Sequence, residues 1–270
     1  MNGRLAAFAA AVGLVAFACR PIPAPSNGVL SLSEVKLPSP GVVAGDTMRD
    51  SLGNAAPLVV TAFGVGGEAD TIFDAQPTFI VFDRGAEVSP DGYLIGDSVR
   101  DTPVRIVGSL GTLQTSAVNV YVTPLPDSLA STTTVPVDTV KFNPADSSAA
   151  QDFSAPLAGT VLATGVIPTA PVRAVIVRYT ILYAPTGSVA GALTGLLVDP
   201  SGRPSSVDTS DASGNVSRRI RVRPQAPTAA PDSFVVSMSA EYAGQPLRGS
   251  PWRFVIPIRD SIPLLASRAR

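Results

Sequence analysis

Short apolar segments separated by turn residues run through most of the chain. The segments are rich in Val, Ile, Thr, Phe and Tyr and are bounded by Gly, Pro, Asp or Ser, a composition typical of β-strands and the turns between them. None of the apolar segments shows a sustained helical period with capping residues. The pattern therefore predicts an all-β protein.

The predicted strands fall into two groups. The first group lies near residues 29–37, 57–65, 77–83, 93–99, 103–110 and 113–123, and the second near 137–142, 158–166, 172–183, 193–198, 216–223, 234–242 and 252–258. Val118, Val120 and Val122 alternate with polar or aromatic residues, which predicts a strand with one buried side and one solvent-facing side. Six or seven short strands in about 100 residues favour an antiparallel sandwich.

The first residues have the pattern of an exported protein. Arg4 precedes an apolar run from Leu5 to Ala18, which has the charge and length of a secretory signal peptide and is shorter than the roughly 20 residues that a bilayer span needs. We expect 1–18 to be a signal peptide. The Pro-rich stretch 19–28 is expected to form an extended tether.

Cys19, directly after the small residue Ala18, resembles the lipidated cysteine of bacterial lipoproteins. The resemblance implies a diacylated N-terminus that anchors the protein in a membrane, and Arg20 at the following position implies sorting to the outer membrane, on its periplasmic or surface face. Ala16 and Phe17 differ from the residues that this family prefers. The alternative is ordinary cleavage, which would leave a periplasmic or secreted protein.

A Pro/Ser/Thr stretch without apolar period separates the two groups of strands and is predicted to be a linker. The predicted organisation is a signal peptide (1–18), a tether (19–28), a first sandwich (29–124), a linker (125–136), a second sandwich (137–259) and a tail (260–270).

Three segments of the first sandwich resemble the bacterial Ig-like family, group 2. Val42-Val-Ala-Gly-Asp-Thr47 is similar to the early turn of that family, Thr78-Phe-Ile-Val-Phe-Asp83 to its central strand, and the segment from Ala86 to Gly96 to its glycine-centred hairpin. The segment from Thr209 to Ser217 is similar to a turn of the group 1 domains of invasin-type proteins. The resemblance implies two tandem Ig-like antiparallel β-sandwiches, and the fold hosts many unrelated functions.

Composition narrows the function classes. The chain of 270 residues has no His, one Cys, 20 Lys+Arg and 21 Asp+Glu. Without imidazole, His-dependent nucleophile activation and His-ligated zinc are not possible, and one cysteine cannot build a disulfide framework or a Cys-rich zinc site. The balanced charge does not favour a nucleic-acid partner. We therefore expect no cofactor, no metal and no catalysis.

Arg219, Arg221 and Arg223 alternate with two apolar residues, which predicts a row of guanidinium groups on one outward strand face. Such a row could bind phosphate or sulfate of an anionic envelope polymer. The alternative is that these charges protect an exposed strand from aggregation, with Asp208 and Asp211 offsetting part of the charge.

Trp252 and Tyr242, together with Tyr179 and Tyr183, are candidates for a surface on which sugars stack, and the alternative for Trp252 is packing in the core or at its rim. Asp208, Asp211 and Asn215 share one loop and carry oxygen ligands suited to calcium. Their spacing lacks the closing Glu of a calcium loop, which favours a plain turn.

Lys36 and Asn119 are the candidates for an isopeptide bond of the kind found in some pilin domains. Strand alternation directs both side chains outward, which argues against that bond.

The sequence thus predicts a non-catalytic envelope lipoprotein that acts as a spacer or interaction module, by protein binding or adhesion. Its partner would be an envelope protein or polysaccharide. The alternatives are a glycan-binding module and an enzyme with a site built from carboxylates alone.

Overall fold

A computed structural model describes residue 29 and residues 31–64, 69–70, 77–142, 153–184, 194–223 and 232–260. These residues form strands and turns without a helix, so the predicted all-β class is confirmed. Within these ranges there is accordingly no helix with the length and apolarity of a membrane span.

The first half of the described chain forms a sandwich of short strands. They are β1 (Ser31–Leu32), β2 (Gly41–Val43), β3 (Ala62–Phe63), β4 (Ala69–Asp70), β5 (Thr78–Val81), β6 (Ala86–Val88), β7 (Leu94–Gly96), β8 (Val104–Leu110), β9 (Leu113–Gln114) and β10 (Val118–Thr123). One sheet has the order β2-β10-β8-β5, with β9 paired to β8. A second sheet has the order β1-β3-β4, and β6 pairs with β7.

The second half forms a larger sandwich. Its strands are β11 (Ser128–Ser131), β12 (Val140–Phe142), β13 (Leu157–Ala163), β14 (Ala170–Pro171), β15 (Ile176–Tyr183), β16 (Thr194–Val198), β17 (Val207–Thr209), β18 (Asn215–Arg223), β19 (Asp232–Tyr242), β20 (Gln245–Pro246) and β21 (Trp252–Asp260). One sheet has the order β11-β13-β18-β16 and the other β12-β21-β19-β15-β17, with β14 and β20 as short additions.

The strand orders are those of Ig-like sandwiches. In the second half, β11, β13, β18 and β16 take the places of strands A, B, E and D, and β15, β19 and β21 those of C, F and G. The first half repeats the second of these sheets, because both sheets begin with a short strand that pairs in parallel with the last long strand. The chain therefore carries two tandem Ig-like sandwiches.

Each sandwich has its own hydrophobic core. The first core includes Met48, Leu94 and Ile106, and the second is built around larger side chains such as Phe234 and Phe254. The predicted alternation in β10 is confirmed, because Val118, Val120 and Val122 are buried and Asn119 is exposed. Fully burying one such side chain contributes about 1.5–3 kcal/mol.

The segment predicted to be a linker, 125–136, contains strand β11. β11 pairs antiparallel with β13, and Leu129 within it is buried in the second core. Asp127 fixes the start of this strand, since its carboxylate accepts hydrogen bonds at 2.8 Å from the Thr164 N–H, the Thr164 hydroxyl and the Gly165 N–H. The connection between the sandwiches is therefore much shorter than the sequence predicts.

The two sandwiches follow each other end to end. β10 ends at the junction, and β8 runs antiparallel to it, so Leu110 lies at the far end of the first sandwich, where it packs with Val29. In the second sandwich, Tyr242 marks the junction end of β19, and β21 runs from there toward Asp260 at the far end. A strand as long as β19 spans about 35 Å.

Candidate functional site

The predicted arginine row lies along β18. Arg219 is exposed and Arg221 is half-buried. Ile220 and Val222, which alternate with the arginines, are fully buried on the opposite face. The guanidinium of Arg221 lies 5.6 Å from the ring centre of Phe153. Among the residues with described side chains, no carboxylate forms an ion pair with Arg219 or Arg221. The side chain of Arg223 lies outside the described part of the structure.

Asp208 does not offset the charge of this row. It forms an ion pair at 2.9 Å with Arg218, whose side chain is only 8% exposed and points into the sandwich. The same guanidinium donates to the carbonyl oxygen of Val207, and so connects β18 to β17 between the two sheets. The alternation of side chains along β18 could have predicted the burial of this residue, because Arg218 lies two positions before the buried Ile220 and faces the same side.

The loop of Asp208, Asp211 and Asn215 is a hydrogen-bonded turn. One Asp211 carboxylate oxygen accepts the N–H groups of Ser213 and Asn215, at 2.8 and 2.9 Å. The Asn215 side-chain oxygen accepts the Thr160 hydroxyl. Across the described side chains, no group of three or more His, Cys, Asp or Glu residues could hold a metal ion.

Trp252 and Tyr242 do not form one stacking surface. Trp252, 38% exposed, is paired with Met238 on β19, and Tyr242 lies four residues further along that strand, about 14 Å away at the usual rise. Tyr179 is buried and donates its hydroxyl to the Leu157 carbonyl oxygen at 3.0 Å. Tyr183 lies at the far end of β15 and is 46% exposed.

Three further predicted residues remain to be placed. Lys36 and Asn119 are not brought together, and Cys19 lies outside the described ranges. Lys36 is bridged to Val59 beside β3, whereas Asn119 is in β10 of the other sheet, paired with Arg105. Both Lys36 and Asn119 are exposed. Cys19, the predicted lipidation site, belongs to the part of the chain that the structure does not describe.

The most elaborate polar cluster lies at the junction of the two sandwiches. The Tyr242 hydroxyl of the second sandwich donates to the Asp46 carboxylate of the first at 2.5 Å. Asp46 also forms an ion pair with Arg49 at 2.9 Å, and the Arg49 guanidinium lies 5.9 Å from the ring centre of Tyr242. These three side chains therefore form a closed set of contacts across the junction.

Two arginines of the second sandwich extend these contacts. The Arg173 guanidinium stacks 4.8 Å from the ring centre of Tyr121 and donates to the Asp101 carbonyl oxygen at 3.2 Å. Arg178 donates to the carbonyl oxygen of Ser51 at 3.4 Å. The junction is thus built from charged and aromatic groups, and it leaves the two hydrophobic cores as separate clusters.

Glycines allow the two backbones to approach each other at the junction. A Cβ atom on Gly41 would lie 2.8 Å from the Cβ of Ala174, and one on Gly53 would lie 2.6 Å from the backbone nitrogen of Gly244. Both distances are below normal van der Waals contact, so larger residues at these positions would push the sandwiches apart.

Electrostatics favour the ionised form of Asp46. Partial burial would raise the pKa of this carboxyl, but hydrogen bonds from Arg49, Tyr242 and the Thr47 N–H outweigh it, and the pKa lies below its ordinary value. Burial, followed by the hydrogen bond to the Asp46 carboxylate, raises the pKa of the Tyr242 hydroxyl. Tyr242 therefore stays a donor and Asp46 an acceptor at neutral pH.

A small cleft of about 140 Å³ lies beside these contacts. Its charged lining residues are Arg49, Asp50, Arg178 and Glu241. Pockets for metabolite- or drug-sized ligands usually exceed about 300 Å³. The cleft is therefore better suited to hydration of the junction than to binding such a molecule.

No family model and no curated protein matches the chain. Solved structures that share similarity are the adhesin InvE of Yersinia pseudotuberculosis (12% identity, TM-score 0.33, 86% of this chain), the S-layer protein rSbsC (14%, 0.32, 86%) and the Escherichia coli adhesin FdeC (14%, 0.28, 85%). This chain spans 61%, 28% and 63% of those chains, respectively. The strand order of the two sandwiches is that of an Ig-like fold.

Proposed function

We propose that this protein is a non-catalytic module of the bacterial cell envelope that acts as a spacer and carries an interaction surface. The observation that carries the proposal is the junction, where Tyr242, Asp46 and Arg49 connect two sandwiches that follow each other end to end. A polar junction with several directional contacts and a short connection holds the two domains in one relative orientation. Two sandwiches in series would then extend roughly 60 Å, from about 35 Å for the 11 residues of β19 and about 23 Å for the 7 residues of β8.

The proposal includes export and anchoring at the N-terminal end. A signal peptide at 1–18, a lipid on Cys19 and a tether at 19–28 would attach the protein to the outer membrane, and without the lipid the protein would be periplasmic or secreted. The described chain enters the first sandwich at Val29, at the end remote from the junction. This arrangement would project the second sandwich away from the membrane, toward an envelope protein or polysaccharide as partner.

The spacer function is tested by a distance measurement between the two sandwiches. In a Cys19→Ser background, spin labels at Thr112→Cys and Thr180→Cys, both exposed positions, would give a narrow distribution of distances by electron paramagnetic resonance. Combining Tyr242→Phe with Arg173→Ala removes two separate contacts that the second sandwich makes with the first, and should broaden that distribution at least twofold. Tyr93→Phe, within the first sandwich, is the matched control and should leave it unchanged. A broad distribution in the unmodified junction would refute the spacer function.

A second candidate function, binding of an anionic envelope polymer, is favoured by Arg219 and Arg221. Neither has an ion-pair partner among the described side chains, and both project from one sheet face. Replacing Arg219, Arg221 and Arg223 by Ser should then reduce retention on immobilised anionic polymer at least tenfold. Unchanged retention would rule out the row as a binding surface. The glycan-binding alternative has less support, because Trp252 and Tyr242 lie apart.

A further inference from the structure

One sheet position is filled in the second sandwich by β17, and no described residue fills the matching position in the first. The two sheets match strand for strand, as β2-β10-β8-β5 and β12-β21-β19-β15, but the second sheet continues with β17, which pairs antiparallel with β15. In the described part of the first sandwich, β8 is the one pairing partner of β5. The segment that resembles a central strand in sequence is therefore an edge strand in this structure.

The backbone of β5 has hydrogen-bonding groups directed to this open position. Phe82 donates its N–H to the carbonyl oxygen of Arg105 on β8, and hydrogen-bonded pairs alternate along an antiparallel ladder. The N–H and C=O groups of Ile80 consequently also face β8, whereas those of Phe79 and Val81 face the open side. In the second sandwich the equivalent groups of Tyr179 and Val175 are bonded to the β17 segment.

Side chains along β5 are incompletely covered. Ile80 and Phe82 project outward and are 39% and 58% exposed. Phe79 and Val81 project toward the first core and are only partly buried against it. An added strand would cover both sets, because its own side chains alternate between the same two faces.

Charge is unbalanced at the end of β5. Asp83 forms an ion pair with Arg105 at 3.0 Å, and the Arg100 guanidinium also lies at this end, where it donates to the backbone carbonyl oxygen of Arg84. Two guanidinium groups, those of Arg105 and Arg100, thus act on one carboxylate. An antiparallel added strand would begin at this end, so an acidic residue at its start would complement the charge.

We propose that the open side of β5 binds an extended peptide segment of a partner protein, which adds as an antiparallel strand at the position that β17 fills in the second sandwich. The segment has apolar residues at alternate positions and an acidic residue at its start. This mode of recognition takes affinity from backbone hydrogen bonds and specificity from alternate side chains. The inference rests on the proposed interaction function and names its partner class.

A second copy of the chain fits this edge less well. Pairing of β5 with itself would involve a strand of four residues, and a stable interface usually needs about 1,200 Å² or more. Self-association through β5 is therefore treated as an alternative to peptide binding. Analytical sedimentation would detect it as a dimer of the chain.

Amide hydrogen exchange of the full chain tests whether the edge is open. We expect the amides of Phe79 and Val81 to exchange at least about 100-fold faster than those of Val177 and Tyr179, which face β17. The amides of Ile80 and Phe82 serve as internal controls and should be protected by β8. Equal protection of Phe79 and Val81 in the monomer would mean that the chain covers its own edge, and protection that grows with self-association would mean a second copy. Either result overturns the proposal.

Binding is tested with a defined probe, the synthetic peptide Asp-Ser-Val-Thr-Val-Thr-Val. The peptide should slow exchange at Phe79 and Val81 at least tenfold at saturating concentration. Val81→Pro removes the outward N–H and should abolish this effect, whereas Val81→Ala, the matched control, keeps the N–H and should retain it. Ile80→Lys, which leaves the core unchanged, should also weaken binding, because edge lysines oppose strand addition.

Failure of binding by the peptide, or binding unaffected by Val81→Pro and Ile80→Lys, would refute the proposal. These measurements are independent of the junction. A failed spacer function would appear in the distance distribution, and a failed peptide site would appear at β5.

Discussion

At the residue scale, Arg218 shows both what alternation predicts and what it leaves open. Alternation along β18 correctly predicts that Ile220 and Val222 are buried. Arg218 occupies the same set of alternate positions and is also buried between the sheets. Its charge alone would favour an exposed position. Arg218 is buried because Asp208, ten residues earlier, neutralises it from β17, and sequence spacing does not reveal that pairing.

Replacing Arg218 by Met should destabilise the second sandwich by about 2–4 kcal/mol, because it leaves Asp208 partly buried without its cation. Urea unfolding followed by the fluorescence of Trp252 measures the change. Arg219→Met is the matched control on the exposed face of the same strand and should change stability by less than about 0.5 kcal/mol. Equal effects of the two substitutions would contradict the role assigned to Arg218.

At the element scale, long strands were predictable and short ones were not. Strands such as β8, β10, β18 and β19 have enough alternating residues to define a buried face. β11 and β17 have four and three residues, too few for a period. Prolines also flank β11 in the sequence, which argues against a strand there. β17 contains Asp208, and Asp is rare in strands. These two short strands nevertheless close edges of the second sandwich.

At the scale of the whole molecule, the fold class followed from the sequence, but the junction did not. Tyr242 and Asp46 are 196 positions apart, and each one, taken alone, looks like an ordinary surface residue. The contact exists because two sandwiches meet end to end, and this depends on a connection shortened by β11. Composition and alternation describe each sandwich but not their relative placement.

Acidification should loosen the junction before it unfolds the sandwiches. Because contacts with Arg49 and Tyr242 lower the pKa of Asp46 in the folded protein, its stabilising contribution is complete above the unfolded value of about 3.9 and is lost as pH falls through the lower folded value.

The distance distribution between the sandwiches should therefore stay narrow from pH 7 to about 5 and broaden as pH falls below about 4. Asp46→Asn should broaden it already at pH 7, whereas Asp91→Asn, an exposed control in the first sandwich, should not. A distribution that is independent of both pH and Asp46 would exclude this carboxylate as a determinant of the junction.

The parallel pairs β2–β10 and β12–β21 have a mechanical consequence. Each pair joins an early strand of a sandwich to its last strand over three residues, and the two ends of the described chain lie at opposite ends of the molecule. Tension between those ends would pull the members of each pair in opposite directions along their length. Their hydrogen bonds lie across the direction of pull and would be loaded together, so separation in shear, rather than one bond at a time, would set the force at which each sandwich yields.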